Sequence, residues 1–404
     1  MIRKALKHPV FQEVSQLSLN TFGTVLISLA GSIALARGLG PEVRGMYAWM
    51  TSLAGVLAVI ALIAPYNSAR KLGAGGPETD WPRWLGTITT LNLVGALLTL
   101  PLLAWALTFP IGRDYPWLVI IAWLSVPAQI LINTTTAFMH MRRRLWDTLL
   151  TGYIPKIMGV ALVIIAWGLG ALTLASAVVF NTLSAILGVL ACLWFLNISP
   201  RLWHFGLLHT KGIKRFLGAG WLAGWTLFVL PKIPLLIGPY YTSLEDIGHL
   251  SIASSLYEMG MILPMLLTSV LVSHFTRAGH VPHKSKMLLA SFVGMALMSI
   301  AAWVVSPYII PWLFGAEFAP SIYLFHLYLL GWVLQGPLAV ATGAVTAKGF
   351  AGLMAWPPLA GCVVCLGLCM VLMPQGGAAG GVLGVLGGTT VQLVVLGLLA
   401  LRHK

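Results

Sequence analysis

The chain has 404 residues, of which 58% are hydrophobic and only 8% charged, whereas a soluble domain is about 45–50% apolar and about 25% charged. That balance excludes a water-soluble globular protein. The net charge of +14 would suggest a nucleic-acid partner in a soluble protein, but here the basic residues fall in every second gap between apolar runs, so no nucleic acid is expected.

In chain order, Met1 to Gln16 carries Arg3, Lys4 and Lys7 ahead of an apolar run, and Ala34-Leu35-Ala36 resembles a signal-peptidase site. The run of about 20 residues is longer than a signal-peptide core and more runs follow, so an uncleaved first membrane helix is expected. Runs long enough to cross a bilayer lie near 17–36, 46–66, 85–109, 115–138, 148–168 and 172–196. A second set lies near 215–238, 247–272, 287–309, 321–342, 353–373 and 379–400. The expected fold is an all-α polytopic membrane protein of twelve spans, divided into six-helix halves at residues 1–200 and 201–404.

Polar residues inside these spans are few. In the first span Asn20, Thr24, Ser28 and Ser32 recur every four residues and share one helix face. That stripe suits a polar cavity; small polar residues at this spacing also let helices pack closely. Arg37 follows just outside the span, placed to meet an anion at the far leaflet or to anchor the helix at the interface. In the fifth span Lys156 follows Pro155, roughly 12 Å from the cytoplasmic end, too deep to reach water easily. Lys232 lies between Pro231 and Pro234 in the seventh span, roughly 9 Å from the outer end, either in a cavity or snorkelling to the surface. Glu258 is the only acid within a span, roughly 16 Å deep in the eighth, where a carboxylate could take up a proton, bind Na+ or simply be held by a lysine.

Trp221, Trp225, Tyr153 and Tyr257 offer aromatic faces that suit a ring-shaped ligand as well as the lipid interface. Cys362, Cys365 and Cys369 form one stripe without a neighbouring His or carboxylate, so packing is expected rather than a metal site. Gly380, Gly384 and Gly388 read as a helix-packing face.

Of the 24 basic residues, 19 lie in the termini and alternate loops, and three (Arg37, Arg44 and Arg113) in the intervening ones. Both termini are therefore expected in the cytoplasm. No loop exceeds about 20 residues, which leaves no room for a soluble catalytic domain. An internal repeat supports the two halves: Glu42-Val43-Arg44-Gly45 aligns with Glu245-Asp246-Ile247-Gly248 at an offset of 203, and Pro155 with Pro357 at nearly the same one. An even number of spans per half predicts parallel repeats about an axis along the membrane normal, with a substrate site between them.

Three motifs in this frame carry a family resemblance. Leu35-Ala36-Arg37-Gly38-Leu39-Gly40-Pro41-Glu42 with Gly45-Met46-Tyr47-Ala48, then Leu313-Phe314-Gly315-Ala316-Glu317-Phe318, then the Gly-rich Gln375 to Gly381 resemble the polysaccharide-transporter branch of the multidrug/oligosaccharidyl-lipid/polysaccharide exporter superfamily. The resemblance implies a flippase of the inner membrane that moves a polyprenyl phosphate- or pyrophosphate-linked oligosaccharide to the outer leaflet, with polysaccharide-assembly proteins as partners and no cofactor beyond a coupling H+ or Na+. On that reading Lys232, Lys156, Arg37 and the first-span stripe would face the substrate, and Glu258 would carry the coupling ion. A cation-coupled drug exporter of the same superfamily and a membrane-embedded polysaccharide-modifying enzyme are the alternatives. The first calls for intramembrane carboxylates and the second for a catalytic cluster at membrane depth.

Overall fold

The computed structural model describes residues 9–63, 81–141, 145–196, 219–278, 284–347 and 351–402. Of residues 9–21 it describes the backbone only, so the side chain of Asn20 lies outside the described residues, as do most of the basic loop residues and the expected boundary at 200/201.

The described residues are almost wholly helical, as a chain without water to satisfy its backbone must be. In the N-terminal half these are α1 (Pro9–Ala61), α2 (Trp81–Leu98), α3 (Leu100–Ala106), α4 (Pro110–Asp114), α5 (Pro116–Met141), α6 (Leu145–Gly168) and α7 (Leu174–Leu196). The C-terminal half has α8 (Ala219–Val229), α9 (Ile233–Ile237), α10 (Leu244–Gly260), α11 (Ile262–Ala278), α12 (Lys284–Phe314), α13 (Ser321–Ala347) and α14 (Trp356–Arg402). Several spans are composite: α2 and α3 form the third, α8 and α9 the seventh, and α10 and α11 the eighth.

Two of these helices are folded back on themselves. In α1 the backbone leaves helical geometry at Gly40 (φ 71°, ψ 171°). A left-handed Gly closes one helix, and Pro41 opens the next because it needs no N–H partner there. The hydrogen bond from Arg44 to Ser32, twelve residues back, would be impossible in a straight helix, where those residues are about 18 Å apart. Residues 9–39 and 41–61 are thus the first and second spans. In α14 the turn is at Gly377 (φ 55°, ψ −138°), beyond which Gly384 lies against Cys369 and Gly388 against Gly361, so the eleventh and twelfth spans pack antiparallel. With these hairpins opened, the described residues make twelve spans in the expected order.

The positive-φ glycines Gly40, Gly170, Gly315 and Gly377 all fall in turns at the end of the bundle opposite the chain termini, hereafter the tight-turn end. Side chains such as Trp194, Leu297, Ile300, Trp303 and Trp312 face outward, as an apolar solvent requires. The halves meet chiefly through α1 and α10.

The seventh span is broken by its prolines. Pro234 cannot donate to the carbonyl of Leu230, and Cys365 Sγ takes that carbonyl at 3.7 Å, while Cys362 Sγ donates to Thr226 O at 3.2 Å and Cys369 Sγ to Gly381 O at 3.7 Å. The cysteine stripe therefore holds a discontinuous helix against its neighbours. At the next break Trp49 Nε1 donates to Leu236 O at 2.9 Å.

Candidate functional site

A cavity of about 510 Å³ lies between the halves, within the ~300–1,000 Å³ common for ligand sites. Thr24, Ser28 and Ser32 line it from the first span, as the period-four stripe requires. Lys156, Gly159 and Val160 line it from α6, Asn181 and Ser184 from α7, and Ser255 and Glu258 from α10. Ser184 Oγ donates to Pro155 O at 2.7 Å, and a Cβ on Gly159 would lie only 2.9 Å from Ser184. This close α6–α7 contact fixes the backbone that presents Lys156. No carboxylate lies within ion-pairing distance of Lys156 among the described residues.

Arg44 is the main cavity residue that the sequence pattern had assigned elsewhere. Counted as an outer-loop cation, it lies instead one turn into the second span, 6% exposed, and lines the cavity. Its Nη2 donates to Ser32 Oγ at 3.0 Å, and its guanidinium sits 5.6 Å from the ring centre of Tyr47. Nε and Nη1 are buried and have no hydrogen-bond partner among the described residues. The repeat carried the missing signal, because Arg44 aligns with Ile247, which is fully buried in the other half.

Lys232 neither snorkels nor faces the main cavity. It ends a 3₁₀ turn, Leu230–Lys232, and its Nζ donates to Glu258 Oε1 at 2.6 Å. Ser254 Oγ donates to the same oxygen at 3.0 Å. The pair borders a second pocket of about 260 Å³ inside the C-terminal half, with Tyr257, Gln335, Thr389 and Gln392 as its other polar lining. Glu258 belongs to both pockets. Of the two readings of Lys232, a cavity or the surface, its position fits a cavity, but one separate from that of Thr24, Ser28 and Ser32, because the broken seventh span turns it toward α10.

Arg37 lies apart from the main cavity, in keeping with the anchoring reading. It is exposed and donates from Nε to Leu313 O at 2.8 Å and from Nη2 to Trp312 O. Those are terminal carbonyls of α12, which carry the negative end of a helix dipole and lack intrahelical donors. Arg37 thus ties the first span to the opposite half at the tight-turn end.

The aromatic candidates also lie apart from the main cavity. Tyr257 stacks on Tyr328 at 4.8 Å and its hydroxyl accepts from Gln335. Trp221 donates to Ile60 O at 2.9 Å and pairs with Trp225, while Tyr153 packs against Gly23.

In electrostatic terms the main cavity presents two cations, Arg44 and Lys156, and one carboxylate whose charge is already engaged by Lys232. Such a wall attracts an anion.

The chain matches no protein-family model and no curated protein sequence. Solved structures do match its fold. MurJ, a lipid II flippase, in its inward closed conformation, superposes with a TM-score of 0.76 at 14% identity, over 95% of this chain and 87% of that one. An inward-facing multidrug-resistance MATE transporter of the MOP superfamily gives 0.68 at 15% identity, over 94% of each chain. The MATE multidrug transporter DinF-BH gives 0.64 at 16% identity, over 98% of this chain and 96% of that one. This multi-pass membrane protein has the fold seen in MurJ and in the MATE transporters.

Proposed function

We propose that the protein is a flippase that carries a polyprenyl phosphate- or pyrophosphate-linked oligosaccharide from the cytoplasmic to the outer leaflet by alternating access, in the building of a surface polysaccharide. The observation that carries this reading is the cation pair, Arg44 and Lys156, in a cavity between the halves whose carboxylate is held by Lys232. A phosphoryl group crossing the bilayer needs such compensation, because an unpaired charge at the bilayer centre costs at least about 2.5–3.5 kcal/mol. The stripe Thr24, Ser28 and Ser32 supplies hydroxyls for sugars beside it.

In this reading the termini are cytoplasmic and the tight-turn end faces outward from the inner membrane. A gradient of H+ or Na+ acts through Glu258, and membrane lipids and polysaccharide-assembly proteins are the partners. No bond in the substrate is made or broken. The test is depletion of the protein in its host, which traps the lipid-linked sugar on the cytoplasmic leaflet. Unchanged surface polysaccharide with no trapped intermediate contradicts the reading.

One observation favours a cation exporter instead: Glu258 borders both pockets and would attract an organic cation once released from Lys232. Increased resistance to cationic dyes on overexpression, with normal polysaccharide on depletion, would establish that reading.

A further inference from the structure

We propose that Arg37 and Trp221 are two locks between the halves, one at each end of the bundle, and that each keeps its own end shut. The inference does not depend on the substrate. It holds for a flippase and for a cation exporter alike, and its test uses neither ligand.

The two contacts share one chemistry and run in opposite directions. At the tight-turn end Arg37, from the N-terminal half, donates from Nε to Leu313 O at 2.8 Å and from Nη2 to Trp312 O, in the last turn of α12. At the end that carries the chain termini Trp221, from the C-terminal half, donates from Nε1 to Ile60 O at 2.9 Å, in the last turn of α1. Carbonyls in the last turn of a helix lack intrahelical donors and carry the negative end of its dipole. Each half therefore gives one side-chain donor to a helix end of the other.

Position makes these bonds reversible. At a helix end near the membrane surface water replaces the donor when the halves part, so breaking the bond costs only its net value. The bond from Trp49 Nε1 to Leu236 O also joins the halves, but it lies roughly 12 Å along the helix from Pro41, where an orphaned carbonyl would find no water. With both locks formed, each end parts only after its own bond breaks. Access alternates when one breaks while the other holds.

The experiment uses the full-length protein in lipid nanodiscs without substrate and reads distances between spin labels in opposite halves. One pair is Asp114→Cys with Glu317→Cys at the tight-turn end; the other is Trp146→Cys with Ser285→Cys at the opposite end, all at exposed positions. The native cysteines are buried. Arg37→Ala should raise the open fraction of the first pair by about 2–5-fold, the value of a capped helix end, and leave the second pair unchanged. Trp221→Phe, which removes the donor and keeps a ring, should raise the open fraction of the second pair by about 2–10-fold and leave the first unchanged. Arg37→Lys keeps the charge and should fall between wild type and Arg37→Ala. Should Trp221→Phe fail to fold, benzothienylalanine at position 221, which has the shape of Trp without its N–H, makes the same test. Opening of both ends alike in either variant, opening of the opposite end, or no change at either pair overturns the inference and leaves the flippase reading untouched.

Discussion

Gly45 and Gly248, which occupy equivalent positions in the two repeats, lie against each other's helix starts: a Cβ on Gly45 would overlap Leu244 O, and one on Gly248 would overlap Pro41 O. The repeat seen in the sequence is thus also a contact, made across the pseudo-two-fold axis, that closes the tight-turn end.

A methyl group at either glycine should open that end. With spin labels at Asp114→Cys and Glu317→Cys, exposed positions in opposite halves, Gly45→Ala should shift the inter-label distance distribution in lipid nanodiscs toward longer values. The contact is to backbone and not to a yielding side chain, so repacking cannot absorb the change. An unchanged distribution would mean that the glycines do not set the closed state.

The Lys232–Glu258 pair predicts non-additive stability. Its side chains are 15% and 34% exposed, so removing one partner should cost about 2 kcal/mol, between the values for surface and buried pairs. In a thermal-unfolding cycle of Lys232→Met, Glu258→Gln and the double variant, the double should lose less than the sum. Additive losses would show that the pair contributes no coupling. In transport, Glu258→Gln should remove dependence on an ion gradient; uptake that stays gradient-driven places the coupling ion elsewhere.

Much of this was legible beforehand, for identifiable reasons. The bilayer demands about 20 apolar residues per span, so span number and order could be counted. Thr24, Ser28 and Ser32 share a face by arithmetic alone. Arg44 escaped because hydropathy begins the second span at 46 whereas Pro41 begins its helix. A lysine partner for Glu258 is one of the readings the sequence offers, but which lysine is not legible, because depths at 1.5 Å per residue put Lys232 and Glu258 roughly 7 Å apart. The length of the lysine side chain covers that difference once the broken span turns Lys232 toward α10. Arg37 looked like a loop cation because the α12 carbonyls it caps lie some 275 residues away in sequence.

Lys156 should be needed for transport and not for folding. It projects into the main cavity without a carboxylate partner among the described residues, so Lys156→Ala removes no internal pair. Uptake of the lipid-linked substrate into proteoliposomes should fall by ~10-fold or more, the value of one charged contact, with Lys156→Arg retaining more. Full activity of the Ala variant would exclude contact with the substrate.

Arg37 should behave oppositely. Arg37→Ala uncaps the carbonyls of Trp312 and Leu313 and should cost about 0.3–1 kcal/mol of stability. Affinity for polyprenyl pyrophosphate should be unchanged. A loss of affinity of ~10-fold, the value of one charged contact, would return Arg37 to the substrate path.

The central claim is that the cavity between the halves carries an anionic lipid head group across the membrane. Its most direct test is reconstitution of the full chain in liposomes containing a labelled polyprenyl pyrophosphate-linked sugar, followed by the fraction of label accessible to an enzyme outside. This fraction should rise with time for the wild type and fail to rise for Arg44→Gln and Lys156→Ala. A wild type that leaves the lipid in its original leaflet while exporting a cationic rhodamine dye would contradict it.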